Sequence, residues 1–173
     1  MSATTLDLQQ FDHGHPQSRR LMREFVDFHW RHYADDPQYI PLLDQEYLGS
    51  RLLGMTGYFE QRHHFFANGE MTWLLARDGG EVVGRCVAFV NRLHNQRWQD
   101  HTGFVGFFES VESQEVADLL LDGAARWLRQ RCSIWHVGSP SSASTSIPVN
   151  TFTCWCTVQP VHRRTRSSPS RPT

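Results

Sequence analysis

The chain has 173 residues with 17 basic and 18 acidic side chains, so its formal charge is −1, which excludes a strongly basic nucleic-acid binder. Its length suits one domain able to bury a core without disulfides. Its apolar fraction of 39% lies below the ~45–50% usual for such a domain.

The N-terminus, Met1-Ser-Ala-Thr-Thr-Leu-Asp-Leu, has neither a basic start nor the apolar run of a secretory signal. The longest apolar run, Val82 to Val90, is interrupted by Arg85 and is far too short to span a bilayer. A cytoplasmic protein without a membrane anchor is therefore expected. Ser18 is placed to cap a helix running to Tyr33, because Leu21, Phe25, Phe28 and His32 recur at spacings of four, three and four. Two prolines, Pro37 and Pro41, forbid its continuation. A second helix is expected from Asp44 toward Glu60, weakened by Gly49, Gly54 and Gly57.

At Met71 the period changes. Met71 to Arg77 and Glu81 to Asn91 are rich in large and β-branched residues, and Asp78-Gly79-Gly80 between them makes the pair a hairpin. Arg92 to His101 reads as a polar loop carrying His94 and His101, two candidate proton acceptors. Thr102 to Glu109 is a third strand, in which Gly103 and Gly106 point to a bulge or a close backbone approach. Ser113 then caps a helix to Arg131 whose inner face is Val116, Leu119, Leu120, Ala124, Trp127 and Leu128. The expected order is helix, helix, three strands, helix.

Beyond Arg131 the pattern ends. Residues 1–131 hold 13 Arg against 18 carboxylates, whereas residues 132–173 hold four Arg and no carboxylate, and there is no Lys anywhere. Of those last 42 residues 20 are Ser, Thr or Pro, and they contain three of the four cysteines. Two units follow: a patterned domain over 1–131, and a tail over 132–173 expected to be disordered apart from a short strand at Ser133 to Val137.

Several constellations carry chemistry or its bland equivalent. Cys86 reads as a small buried hydrophobe. His29 and His32 on one helix, with His63 and His64, lack the carboxylate or thiolate that would complete a metal site, and Cys154-Trp-Cys156 with His162 is no better, so no metal is expected. Arg85 either meets an anion or snorkels at a sheet edge. Phe104, Phe107 and Phe108 form a ligand wall or, more simply, a piece of core.

The residues Asp36-Pro37-Gln-Tyr-Ile-Pro41, His64-Phe65-Phe66, Gly80-Glu-Val-Val-Gly84-Arg85, Asn91 and Asp100-His-Thr-Gly103-Phe-Val-Gly106-Phe-Phe-Glu109 resemble the GNAT superfamily of acyl-CoA-dependent N-acyltransferases, in an uncharacterised bacterial branch. The likeness covers roughly residues 20–131. It implies an α/β fold with a mixed, mostly antiparallel sheet flanked by helices, the C-terminal part being missing or disordered. Residues from Cys132 onward are expected to come from a shifted reading frame or to be a genuine disordered tail.

What the resemblance implies for function is transfer of an acyl group, acetyl being the one expected, from acetyl-CoA or another acyl-CoA to a small-molecule amine. The donor would lie along the third strand of the sequence reading, with its pyrophosphate at the start of the following helix. On this basis Glu109 is the candidate general base, and Phe107, Phe108, Ser113 and Gln114 are the candidate acyl-CoA contacts. Neither a nucleic-acid nor a membrane partner is implied, and a homodimer is compatible with the likeness. The loop Glu109-Ser-Val-Glu112-Ser-Gln-Glu115 departs from the family in being acidic and free of glycine. The competing readings are a non-catalytic truncated protein and a CoA- or small-molecule-binding module.

Overall fold

The computed structural model describes residues 5–131. The expectations for the tail, including the strand at 133–137 and the cysteines beyond Arg131, lie outside the described residues. The elements are β1 (Leu6–Phe11), α1 (Ser18–His32), α2 (Asp44–Leu48), β2 (Gly69–Asp78), β3 (Glu81–Asn91), α3 (Arg92–Trp98), β4 (Phe104–Ser110) and α4 (Gln114–Arg129), with a 3-10 turn at His64–Ala67. The four strands form one sheet in the order β1-β2-β3-β4, every pair antiparallel. The fold is thus α/β, an antiparallel sheet with helices on its faces.

Alternation along β3 sorts the two faces. Val87 and Phe89 join one cluster with Leu21, Phe25 and Val26 of α1 and with Phe11, Tyr47, Phe59, Trp73 and Leu75. Cys86, Ala88 and Val90 join the other, with Val116, Leu120, Ala124, Trp127 and Leu128 of α4. A side-chain period of two on the strands therefore meets a period near 3.6 on each helix, and the sheet is covered on both sides. Gly84 permits the closeness of α4, since a Cβ there would lie 2.9 Å from both Leu120 Cδ1 and Val116 Cγ1.

The hairpin forms as expected, with Gly79 and Gly80 at φ 58° and 91°, the left-handed pair that a two-residue turn requires. Ser113 also caps α4 as expected, its hydroxyl accepting from Val116 N at 3.4 Å. Four local expectations are corrected. β1 is an unforeseen edge strand, and Leu6-Asp-Leu-Gln-Gln-Phe alternates too weakly to announce itself. Ser18 is the first residue of α1 rather than its cap; Gln17 holds that place without a side-chain bond.

The second helix stops at Leu48, because Gly49 turns the chain at φ 73°. The backbone then folds back, with Tyr58 N donating to Glu46 O at 2.8 Å and Phe59 N to Tyr47 O at 2.9 Å. Finally, Arg92 to Trp98 is a helix, capped by the Asn91 side chain, which accepts from Leu93 N and His94 N.

The return at 49–57 depends on one missing methyl group. A Cβ on Gly57 would stand 2.1 Å from Gly49 N and 2.4 Å from Tyr47 O, both backbone atoms that cannot swing aside. Gly57→Ala is expected to cost about 1–2 kcal/mol, within the range of overpacking substitutions. A midpoint of urea unfolding unchanged from the parent would show that this segment accommodates the clash.

Candidate active site

The site follows from a bulge in β4. On β3 one residue, Cys86, separates Arg85 from Val87, whereas on β4 two residues, Phe107 and Phe108, separate their partners Glu109 and Gly106. The extra residue reverses the parity of the strand beyond it. Val105 packs on the α4 side, yet Glu109 four residues later is on the α1 side, opposite Arg85. Phe107 takes the strained position at φ 50°. The expectation of a bulge near Gly106 is therefore met, one residue later.

Arg85 is fully buried, because β3 is an inner strand; the expectation of an Arg at a sheet edge is corrected. Its Nε donates to Glu109 Oε2 at 2.9 Å, and Nη2 lies 2.9 Å from the same oxygen. Its Nη1 donates to the Phe25 carbonyl oxygen of α1, with Val26 O at 3.5 Å. The guanidinium carbon stands 4.9 Å from the Phe25 ring centre and 5.7 Å from that of Tyr47. A buried cation is thus matched by a carboxylate, a main-chain carbonyl and two ring faces, as the cost of desolvation demands. The Glu109 side chain keeps 17% exposure, and among the described residues its Oε1 has no hydrogen-bond partner.

Rings from α1 and the following loop close on this pair. Tyr33 and Tyr39 stack at 3.9 Å, His32 meets Tyr33 edge-on at 4.6 Å, and His29 lies 6.1 Å from Tyr39 and 5.7 Å from Tyr47. Tyr47 in turn meets Phe107 at 5.8 Å. Burial, reinforced by the Glu109 charge, raises the phenols of Tyr33 and Tyr39 above the ordinary value, so both stay protonated at neutral pH. Burial raises the Tyr47 phenol too, against the pull of Arg85. Burial lowers His29 and His32 below 6.5; for His29 the Arg85 charge adds to this and Glu109 opposes it.

His29 is fully buried and neither ring nitrogen has a hydrogen-bond partner. Because its folded value lies below that of the unfolded chain, the unfolded chain takes up a proton first as the pH falls. Stability is therefore intact well above pH 6.5 and is lost as the pH drops through 6.5 toward the folded value, at up to about 1.4 kcal/mol per pH unit. Thermal unfolding between pH 7.5 and 5 should show this slope, and His29→Phe should flatten it; an unchanged slope in the variant would place the proton uptake elsewhere.

The site residues expected from sequence are only partly brought together. Glu109 and Phe107 belong to this cluster. Phe108 faces the other way, packed with the α4 side. Ser113 is engaged as the cap of α4, and Gln114 Nε2 donates to Asp118 Oδ1 at 2.7 Å. His94 of α3 has its Nε2 3.5 Å from Asp100 Oδ2, beyond the helix. From sequence, His29 figures only as part of an incomplete metal set and Tyr39 only as part of the family motif, and neither they nor Tyr33 and Tyr47 are placed at this site; the one readable signal is the density of aromatic and histidine residues between Phe28 and Tyr47. Among the described residues no three His, Cys, Asp or Glu side chains converge as a metal site, and no helix is long and apolar enough to cross a membrane.

No family model matches the sequence. Over 117 residues the chain is 26% identical to Protein YghO of Escherichia coli (strain K12), a stretch that makes up 64% of this chain and 26% of that protein. The chain thus spans about a quarter of the length of the curated relative it matches. Among solved structures it is similar to a ribosomal-protein-alanine N-acetyltransferase from Brucella melitensis biovar Abortus 2308, with a TM-score of 0.47 and 17% identity, over 86% of this chain and 100% of that one.

Proposed function

We propose that this chain carries the acceptor side of an acyl-CoA-dependent N-acyltransferase of GNAT type, acting on a small amine. The observation that supports this reading is Glu109 directly beyond the β4 bulge, with one carboxylate oxygen anchored by buried Arg85 and the other left for a ligand. Acyl transfer from a thioester requires the attacking nitrogen to be deprotonated and held against the carbonyl carbon. Glu109 Oε1 accepts an N–H of the incoming ammonium and orients it, then receives its proton directly or through one water. The nitrogen lone pair attacks the thioester carbonyl, the C–N bond forms, the C–S bond breaks, and the thiolate leaves to be protonated.

On the donor side the same reading lays the acyl-CoA along the outer edge of β4, against Phe107 and Phe108, with its pyrophosphate near Ser113 and Gln114 at the start of α4. A helix N-terminus favours an anion. The carboxylates of Glu112 and Glu115 beside it oppose one, so weak donor binding is expected.

The test is direct. Acetyl-CoA at near-millimolar concentration should raise the unfolding temperature, and with a panel of primary amines should release free thiol at a rate that depends on the amine. Binding without thiol release would favour a CoA-binding module, and the absence of both responses would overturn the acyltransferase reading.

A further inference from the structure

The charges around Glu109 specify what kind of amine fits. Arg85 has no exposed surface: Nε donates to Glu109 and Nη1 to the Phe25 carbonyl of α1, while Nη2, 2.9 Å from the same Glu109 oxygen, is buried away from any ligand. His29 and His32 are held neutral by burial. The phenols are neutral as well. The charges that reach the rings from outside are carboxylates: Asp36 acts on Tyr33, Asp44 on His29 and Glu46 on Tyr47. Arg23 of α1 is paired with one of these carboxylates, Asp44, at 3.0 Å. The Glu109 charge acts on the half-buried rings of His32, Tyr33 and Tyr39, which pack on one another, and half-buried Phe107 stands two residues before it in the β4 bulge.

We infer that this site takes a cationic amine with an apolar or aromatic body and rejects amines that carry a carboxylate next to the reacting nitrogen, free amino acids included. A carboxylate oxygen with neutral ring faces around it attracts an ammonium by charge and by the ring quadrupoles. An α-carboxylate entering the same place meets Glu109 as a like charge, and among the described residues no unspent cation at the site is there to receive it. This specificity rests on the acyltransferase reading for its purpose, but not for its measurement, because binding of the amine needs no acyl donor.

Isothermal titration calorimetry of the full chain with phenethylamine and with phenylalanine, which share one body and differ by the carboxylate, reads the inference directly. Phenethylamine is expected to bind at least roughly tenfold tighter. N-Acetylphenethylamine, which has no charge, should bind at least roughly tenfold more weakly than the parent amine. Glu109→Gln should erase most of the preference between amine and amino acid, whereas Tyr39→Leu should weaken both ligands while keeping their ratio.

The wild-type comparisons do not depend on either variant folding. Equal or tighter binding of phenylalanine, equal binding of the neutral amide, or no detectable binding of phenethylamine at near-millimolar concentration would each overturn the inference. Preference for phenethylamine with no thiol release from acetyl-CoA would instead sink the acyltransferase reading and leave the cation specificity standing.

Discussion

Replacement of Arg85 by methionine is expected to lower the unfolding free energy by about 3–5 kcal/mol, the cost of removing one partner from a buried, hydrogen-bonded charge pair. The loss has three sources. Glu109 keeps its charge in a half-buried place without its cation, the Phe25 carbonyl loses its donor, and the Phe25 and Tyr47 ring faces lose the guanidinium between them. Methionine fills much of the volume, so the cost is electrostatic more than steric. The control is the double variant Arg85→Met with Glu109→Leu, which removes both charges.

If the pair is retained for the site rather than for stability, the double variant should regain most of the loss, since apolar replacements of buried pairs are often neutral or better. Urea unfolding with an unchanged m-value measures both. A single variant within about 1 kcal/mol of the parent would mean that Glu109 finds water instead, as its 17% exposure permits.

How much of this is readable from sequence depends on whether the signal is local. The β2-β3 hairpin and the capped α4 are legible because alternation, a Gly-Gly turn and a Ser cap all act within a few residues. β1 is not, since Leu8 and Phe11 acquire meaning only when β2 pairs with them, Leu8 with Ala76 and Phe11 with Trp73. The length of α2 depends on Gly49 at positive φ and on Gly57 lying against its backbone, a contact between residues eight apart that no period records. α3 hides because Arg92 to Trp98 is polar on the outside and contributes no buried residue, so it leaves no apolar stripe to read.

The site divides in the same way. Glu109 is legible as a carboxylate ending a strand, but its partner is not. Arg85 is called into the interior by α1 and β4 from opposite directions, one supplying a carbonyl 60 residues away in sequence and the other a carboxylate 24 away. His29 is likewise one residue off the face predicted for α1, and its burial follows from the docking of Tyr39 and Tyr47 upon it.

The bulge itself yields the second large expectation. Phe107 holds a left-handed backbone conformation, which costs a residue with a side chain about 1–2 kcal/mol. Its ring compensates by packing on Phe59 at 5.1 Å and on Tyr47 at 5.8 Å. Phe107→Ala should therefore be the worse of two truncations, because alanine keeps the backbone penalty and loses the ring. A cost of about 2–3 kcal/mol is expected, below the 3–5 of a fully buried ring because this one is half-buried. Phe107→Gly loses the same ring but adopts φ 50° freely, so it should be more stable than the alanine variant by about 1 kcal/mol.

That order reverses the usual one for a strand, where glycine is the weaker residue, and so it reports on the bulge specifically. Equilibrium unfolding of the two variants decides it. Alanine more stable than glycine would mean that β4 relaxes to a regular strand when the ring is gone. The arrangement that sets Glu109 opposite Arg85 would then be imposed by the packing of Phe107 rather than by the count of residues between Gly106 and Glu109.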